Sequence, residues 1–427
     1  MRSLERNYHN IYHFFLCLLP VSFISMKLAN VLVAFFVLFN VVFIKKIHHT
    51  KTSLWLFGAI AIPLLLDLLF IWNNSSFYLA VKATEKHSLF LIFPLFILGY
   101  KGKLDLKRLV KHYRGLMLIV LTILFIRYIF LYSDNFLKYL KGKHLWEMGY
   151  HFSNSFGNHA PALNMVIAFI VVINFYLLLK DERRKWKVIG NGFMFFLSFF
   201  FLMYVNTRVA IASAVFGCLI ISFVQVFRDK NRKRTVKTIL LTFVLFVFGI
   251  TVFLKVFPYS IKKFTEKSFA DMDKVGRLDE FENPESQIYG ALVTRVTIWK
   301  STLELARKKF VFGYGATEAK LALFEYYKKT NQKFLFKYKF PVHNQFLDYF
   351  LKYGIFGIIG LVVFFSVLGY LAIVNKSLIM MFFGLHFFLS NLTDDFLILF
   401  SGISFSAFWL SVFGKITLNR NIRFEKN

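Results

Sequence analysis

The sequence predicts an all-α polytopic membrane protein with about twelve transmembrane helices, and three observations carry that prediction. The chain has 427 residues, 57% of them hydrophobic, and a mean hydropathy of +0.56. That is more apolar than a soluble domain and far from a disordered composition. Its apolar runs are continuous where a membrane barrel would alternate, which favours helices. Its Lys and Arg residues fall mostly in short clusters between those runs, where they act as topology signals.

A span needs roughly 20 apolar residues to cross a hydrocarbon core about 30 Å thick. Runs of that kind lie at 11–26, 28–44, 53–71, 88–100, 115–132, 161–179, 188–205, 209–227, 236–257, 355–374, 378–391 and 396–413. Those at 88–100 and 378–391 are short, and their ends are the least defined. Arg2 and Arg6 precede the first run, but no small-residue cleavage site separates it from the second. It is therefore expected to remain as a helix and not to be removed as a signal.

Placing the N-terminus in the cytoplasm puts the basic segments Lys45-Lys46, Lys101–Arg114, Lys180–Lys187 and Arg228–Arg234 on the inside. A C-terminal tail with Lys415, Arg420 and Arg423 joins them. The inside then holds 26 Lys and Arg against 7 in the short outside loops, and the opposite orientation would invert that ratio. The expected organisation is helices 1–9 over residues 1–257, a large periplasmic loop over 258–342, and helices 10–12 with a cytoplasmic tail over 343–427. Long loops translocate largely regardless of charge, so the loop's 16 basic residues are compatible with that side.

The formal net charge of +30 does not indicate nucleic acid, because such a binder gathers its charge on one folded face. Cys17 and Cys218 both lie in apolar runs and build neither a disulfide framework nor a thiolate metal site. No internal repeat or low-complexity linker is visible. Within the loop, Val296, Trp299, Leu303, Ala306 and Phe310 recur at helical spacing and predict an amphipathic helix over Thr294–Phe310. Phe312-Gly313-Tyr314-Gly315 breaks it, a second helix is expected over Ala316–Lys329, and Pro341 closes the loop.

Ionisable groups within a membrane are costly and point to function by default. Asp67 and Arg127 sit at similar depth near the outer ends of their spans, so a mutual ion pair between helices is the plain alternative. Lys255 is placed to snorkel to the interface. His386, roughly mid-span, reads as a residue packed between helices. Arg208 occupies an outer turn, as do Asp394 and Asp395. His343, at the outer surface before the tenth span, has the residue type suited to general acid–base work near neutrality.

The spacing around that histidine is distinctive. His343-Asn344 is followed by nine residues and then Gly354-Ile355-Phe356-Gly357. This resembles the signature of bacterial O-antigen ligases. Arg295 and Trp299 match an Arg-x-x-x-Trp element of the O-antigen ligase and polymerase superfamily, Gly313-x-Gly315 matches its Gly-x-Gly turn, and Arg208 stands where the family has a functional arginine. The resemblance is strongest over residues 290–360, and the motif after His343 favours a ligase.

The resemblance implies a fold of the GT-C type in the bacterial inner membrane. It also implies a metal-independent, inverting glycosyltransferase without a cofactor. Such an enzyme moves a glycan from undecaprenyl-diphosphate to an acceptor hydroxyl, such as lipid A–core, at the periplasmic face. Arg208 and Arg295 are then expected to hold the diphosphate, since Arg binds phosphate oxygens bidentately and stays charged. His343 is the expected general base, with Asn344, Trp299, Asp394 and Asp395 in support. Asp271-Met272-Asp273 has the Asp-x-Asp form used by metal-dependent glycosyltransferases, but such a tripeptide arises readily by chance in a charged loop. A polysaccharide polymerase or a protein O-oligosaccharyltransferase would share the chemistry with another acceptor. A transporter of lipid-linked sugars is the alternative from another class, but it would ordinarily show repeat symmetry and broken helices near the midplane.

Overall fold

The computed structural model describes residues 7–145, 147–180, 185–229, 231–257, 271–288 and 292–424. Arg2, Arg6, Lys230, the middle of the basic segment at 181–184 and the start of the long loop at 258–270 lie outside the described residues. Among those described, the chain is all helical, and its sole sheet-like contact is the isolated bridge between Ile47 and Tyr100.

In chain order the helices are α1 Tyr8–Ser22, α2 Met26–Val42, α3 Lys51–Ile60, α4 Ile62–Leu69, α5 Phe77–Lys86, α6 Leu89–Phe93 and α7 Leu106–Leu131. There follow α8 Ser133–Leu140, α9 Met148–Asn154, α10 Ala160–Lys180, α11 Lys185–Val205, α12 Arg208–Arg228 and α13 Arg232–Val256. Beyond the single helical turn Pro284–Gln287, the loop contributes α14 Leu292–Arg307, α15 Ala319–Lys329 and α16 Lys333–Tyr338. The chain then runs through α17 Gln345–Tyr353, α18 Ile355–Asn375, α19 Leu378–Thr393 and α20 Phe400–Phe424. Every apolar run of the sequence carries a helix. Six of these helices (α7, α10, α11, α12, α13 and α18) are long and apolar enough to cross a membrane on their own.

The run at 53–71, expected as one span, is two helices bent by 68° at Ala61. Pro63 accounts for the break, since it has no N–H for the preceding turn and its ring crowds the carbonyl four residues back. The residues of the expected C-terminal tail continue α20 as helix. There Lys415 is buried, and Arg420 Nη1 donates to the Val374 carbonyl at 3.0 Å. Arg114, assigned to a basic segment, is buried in α7 and donates to Asn174 and Asn191 side chains at 2.9 and 2.6 Å. Two neutral amide oxygens thus take the guanidinium out of the loop.

Helix α10 forms the centre of the bundle. It is apolar all round, as a helix enclosed by others must be, and packs against α11, α12 and α19. Its few polar side chains serve as markers of register. Asn164 donates to Thr207 Oγ1 at 2.8 Å, and His386 of α19 bridges the Met165 carbonyl at 3.0 Å and Ser213 of α12 at 2.6 Å. His386 is therefore the packed inter-helix residue that its position predicted. These contacts fix the first turns of α10 and α12 against the middle of α19, which places the start of both and the end of α19 at one end of the bundle.

At that end, α14, α15 and α16 enclose a second apolar core of Ile298, Leu305, Leu323, Tyr327 and Leu335, completed by Phe350 and Leu351 of α17. The sequence placed the buried stripe of α14 on Val296, Trp299, Leu303, Ala306 and Phe310. Ala306 is buried and Trp299 and Leu303 pack partly buried against this core, but the rest of the buried face is Val293, Thr294, Thr297, Ile298, Ser301, Thr302 and Leu305, and Phe310 lies half exposed beyond the helix end. Thr297 and Thr302 can be buried because their hydroxyls donate to carbonyls one turn back, both at 2.8 Å.

Candidate functional site

The chain enters α17 through Val342-His343-Asn344. His343 has a left-handed backbone with φ of 52°, uncommon for a residue with a side chain. Asn344 caps the helix, its Oδ1 accepting the Leu347 N–H at 3.1 Å, while its Nδ2 donates to the Leu392 carbonyl at 2.9 Å. One residue thus starts α17 and fastens it to the end of α19. From α14, Trp299 Nε1 donates to the His343 carbonyl at 3.3 Å, and Arg295 Nη1 donates to the Thr393 carbonyl.

These ties bring the His343 ring to the turn after α19. Its Nδ1 lies 3.1 Å from Asp394 Oδ1 and 4.0 Å from Asp395 Oδ1, and the histidine side chain remains 27% exposed. Burial raises the Asp394 carboxyl. Hydrogen bonds from His343 and Asp395 and the nearby charge of Arg295 outweigh that effect and hold it well below the usual carboxylate range. Burial pushes Asp395 well above that range, and the adjacent Asp394 charge adds to the rise. The pair therefore carries one shared proton, with the negative charge on the side facing His343. An ionised carboxylate only accepts, so Nδ1–H points to Asp394, which leaves Nε2 as the ring nitrogen facing away from it.

His343, Asn344, Trp299, Arg295, Asp394 and Asp395 thus meet at one place. Arg208 begins α12 at the same end of the bundle, but among the described residues no hydrogen bond or ion pair joins it to them. Its buried Nε has no hydrogen-bond partner among the described residues. His159, immediately before α10 and exposed, lies close enough to Asp394 and His343 to interact with them electrostatically, and it escaped the sequence reading. Asp67 does not pair with Arg127, as one reading had it. It meets His87 Nδ1 at 2.5 Å and accepts from the Tyr353 hydroxyl, while Arg127 donates to the Ser155 carbonyl at 3.3 Å. Lys255 is exposed, consistent with snorkelling.

Gly313 and Gly315, with φ of 67° and 88°, lay the loop against the end of α17. Tyr314 N–H donates to Leu351 O at 2.8 Å and Gly315 N–H to Lys352 O at 2.9 Å. Asn73 and Asn74, beyond α4, grip the same turn through Phe312 O at 2.8 Å and Thr317 N–H at 3.0 Å. A Cβ on Gly313 would lie 2.5 Å from the Lys352 carbonyl. Gly354 and Gly357 likewise allow the close backbone approach where the chain re-enters the bundle.

His343, Asp394 and Asp395 are also the one group among the described residues whose ligand atoms, within 4.8 Å of each other, could hold a metal ion. Asp271 and Asp273 are both exposed and belong to no such group.

Fold and site together define a polytopic helical membrane protein with a histidine–carboxylate centre at one end. Residues 193–365 match the family model described as O-antigen ligase, and over that stretch the chain is consistent with the O-antigen ligase superfamily, whose members are glycosyltransferase-like enzymes. A comparison with curated proteins found no match. The matched stretch contains Arg208, Arg295, Trp299 and His343, and ends before Asp394 and Asp395.

Proposed function

We propose that the protein transfers a glycan from a lipid-diphosphate carrier to an acceptor hydroxyl, with twelve spans of the GT-C type and residues 258–342 covering the site on the periplasmic side. The observation that carries this reading is the His343–Asp394 contact, beside Arg295, within a family of glycosyltransferase-like enzymes. His343 Nε2 takes the proton of the acceptor hydroxyl as its oxygen forms a bond to the anomeric carbon. The bond from that carbon to the diphosphate oxygen breaks on the opposite face, which inverts the centre and releases the lipid diphosphate. Asp394 stabilises the resulting imidazolium, and a base held in this way contributes a rate factor on the order of 10² to 10⁴.

Arg208 and Arg295 are the proposed cations for the departing diphosphate. Arg295 spends one of its five N–H donors on Thr393 O, which leaves it rigid with donors to spare. Among the described residues the buried Nε of Arg208 has no acceptor, as a donor that an anionic ligand would satisfy presents. The ligase reading, with lipid A–core as acceptor, rests on the motif after His343; a polymerase or protein O-oligosaccharyltransferase differs in acceptor alone.

Incubating the purified protein with undecaprenyl-diphosphate-linked glycan and separate candidate acceptors, in a chelator, tests the proposal. Transfer to lipid A–core without metal supports it. Transfer to a second lipid-linked repeat reassigns it as a polymerase, and activity lost in the chelator and restored by a divalent ion contradicts the metal-free mechanism.

A further inference from the structure

The turn that carries the two carboxylates is gripped again two residues further on. Leu397 N–H donates to Gln345 Oε1 at 2.8 Å, and Leu397 O meets His87 Nε2 at 2.8 Å. A carbonyl only accepts, so Nε2 carries a hydrogen. The other ring nitrogen, Nδ1, lies 2.5 Å from Asp67 Oδ2, and the Tyr353 hydroxyl donates to Asp67 Oδ1. Asp67, His87, Gln345, Tyr353 and Leu397 are all buried.

The members come from α4, the end of α5, and both ends of α17, so no local segment accounts for them. They converge on the connection between α19 and α20, where a single tight turn at Phe396–Ile398 is the sole regular structure. A turn of that kind needs external partners to hold one geometry. Gln345 stands two residues after His343, and Leu397 two after Asp395. The peptide at Leu397 is thus tied from one side to the segment carrying the histidine, and from the other to a buried His–Asp–Tyr relay.

We propose that His87, oriented by Asp67 and Tyr353, is a positioning residue for the transfer: by fixing the Leu397 carbonyl it aims Asp394 at His343. The inference rests on the reading of His343 as the base. A carboxylate inside an apolar helix is costly, and a network serving only to join α4 to α17 could be built without one. The relay touches no reacting atom and acts through the turn.

The test uses the full-length protein in lipid nanodiscs, with lipid-linked glycan as donor, and compares His87→Ala, His87→Gln, Tyr353→Phe, Asp394→Asn and His343→Ala. His87→Ala is expected to lower kcat roughly 10- to 100-fold with donor KM within about threefold of wild type. His87→Gln, whose amide N–H can reach the Leu397 carbonyl, is expected to recover most of that loss. Tyr353→Phe removes one hydroxyl from the relay and is expected to lower kcat severalfold with the thermal midpoint little changed. Combining His87→Ala with Asp394→Asn is expected to cost little more than Asp394→Asn alone, since both act through one interaction. Unchanged kcat in His87→Ala and Tyr353→Phe beside an inactive His343→Ala overturns the positioning role alone, as do losses that multiply in the double variant. An active His343→Ala overturns the base assignment, and the positioning inference with it.

Discussion

Two neighbouring carboxyl groups in a buried turn cannot both lose their protons without a large electrostatic cost, and Asp394 and Asp395 divide the burden unequally. Asp394 keeps the charge because His343 and Arg295 stand beside it, and Asp395 keeps the proton. Asparagine at 395 therefore mimics the native form, and asparagine at 394 does not. Asp394→Asn is expected to lower the transfer rate roughly 10²- to 10⁴-fold, as loss of a histidine-orienting carboxylate does elsewhere, while Asp395→Asn stays within severalfold of wild type in single-turnover assays. The same division has a sign in stability. Asp395, raised in the fold, contributes stability that is present below about pH 3.9 and is lost as pH rises toward its folded value. Asp394, lowered in the fold, contributes stability present above about pH 3.9 and lost as pH falls toward its folded value. The thermal midpoint of Asp395→Asn relative to wild type is thus expected to rise as pH increases above about 4. A constant difference across that range would contradict the assignment.

At the scale of the element, the loop is held by a clasp. The turn Phe312–Gly315 is pinned between the end of α17 and Asn73-Asn74, and it connects α14, which carries Arg295 and Trp299, to the rest of the bundle. At Gly315 the left-handed backbone and the close Asn73 carbonyl both exclude a side chain. Gly315→Ala is expected to destabilise the clasp by about 1 to 3 kcal/mol. Faster proteolysis within residues 271–342, with the bundle intact, would be its signature. The glycines were legible in the sequence, as was the break between the two loop helices. The buried face of α14 was not, because Thr294, Thr297, Ser301 and Thr302 read as a solvated stripe until their hydroxyls are seen to bond within the helix and its neighbours. Pro63 was a visible signal for the bend between α3 and α4, yet a continuous apolar run hid it.

For the molecule as a whole, the apolar runs placed a helix at every expected span, and the histidine motif gathered most of the site, because both are local patterns. The relay of Asp67, His87 and Tyr353 was not legible: its members lie 20 and 286 residues apart, and His87 reads as the end of a polar connection. Asp67 alone carried a signal, as a charge in an apolar span, and its partner was misassigned because depth along separate helices does not fix rotation about them. The bundle turns this scatter into one face, where α4, α12, α14, α17 and α19 all end or begin. Cysteines introduced one at a time at Lys320 and at Lys233 place that face: a membrane-impermeant thiol reagent on intact spheroplasts is expected to label the first and not the second. The central claim, a histidine base at a lipid-diphosphate site, is met most directly by the initial rate of glycan transfer with purified His343→Ala at saturating donor and acceptor. The expected result is a loss of roughly 10²-fold or more with donor binding retained, and transfer at the wild-type rate would contradict it.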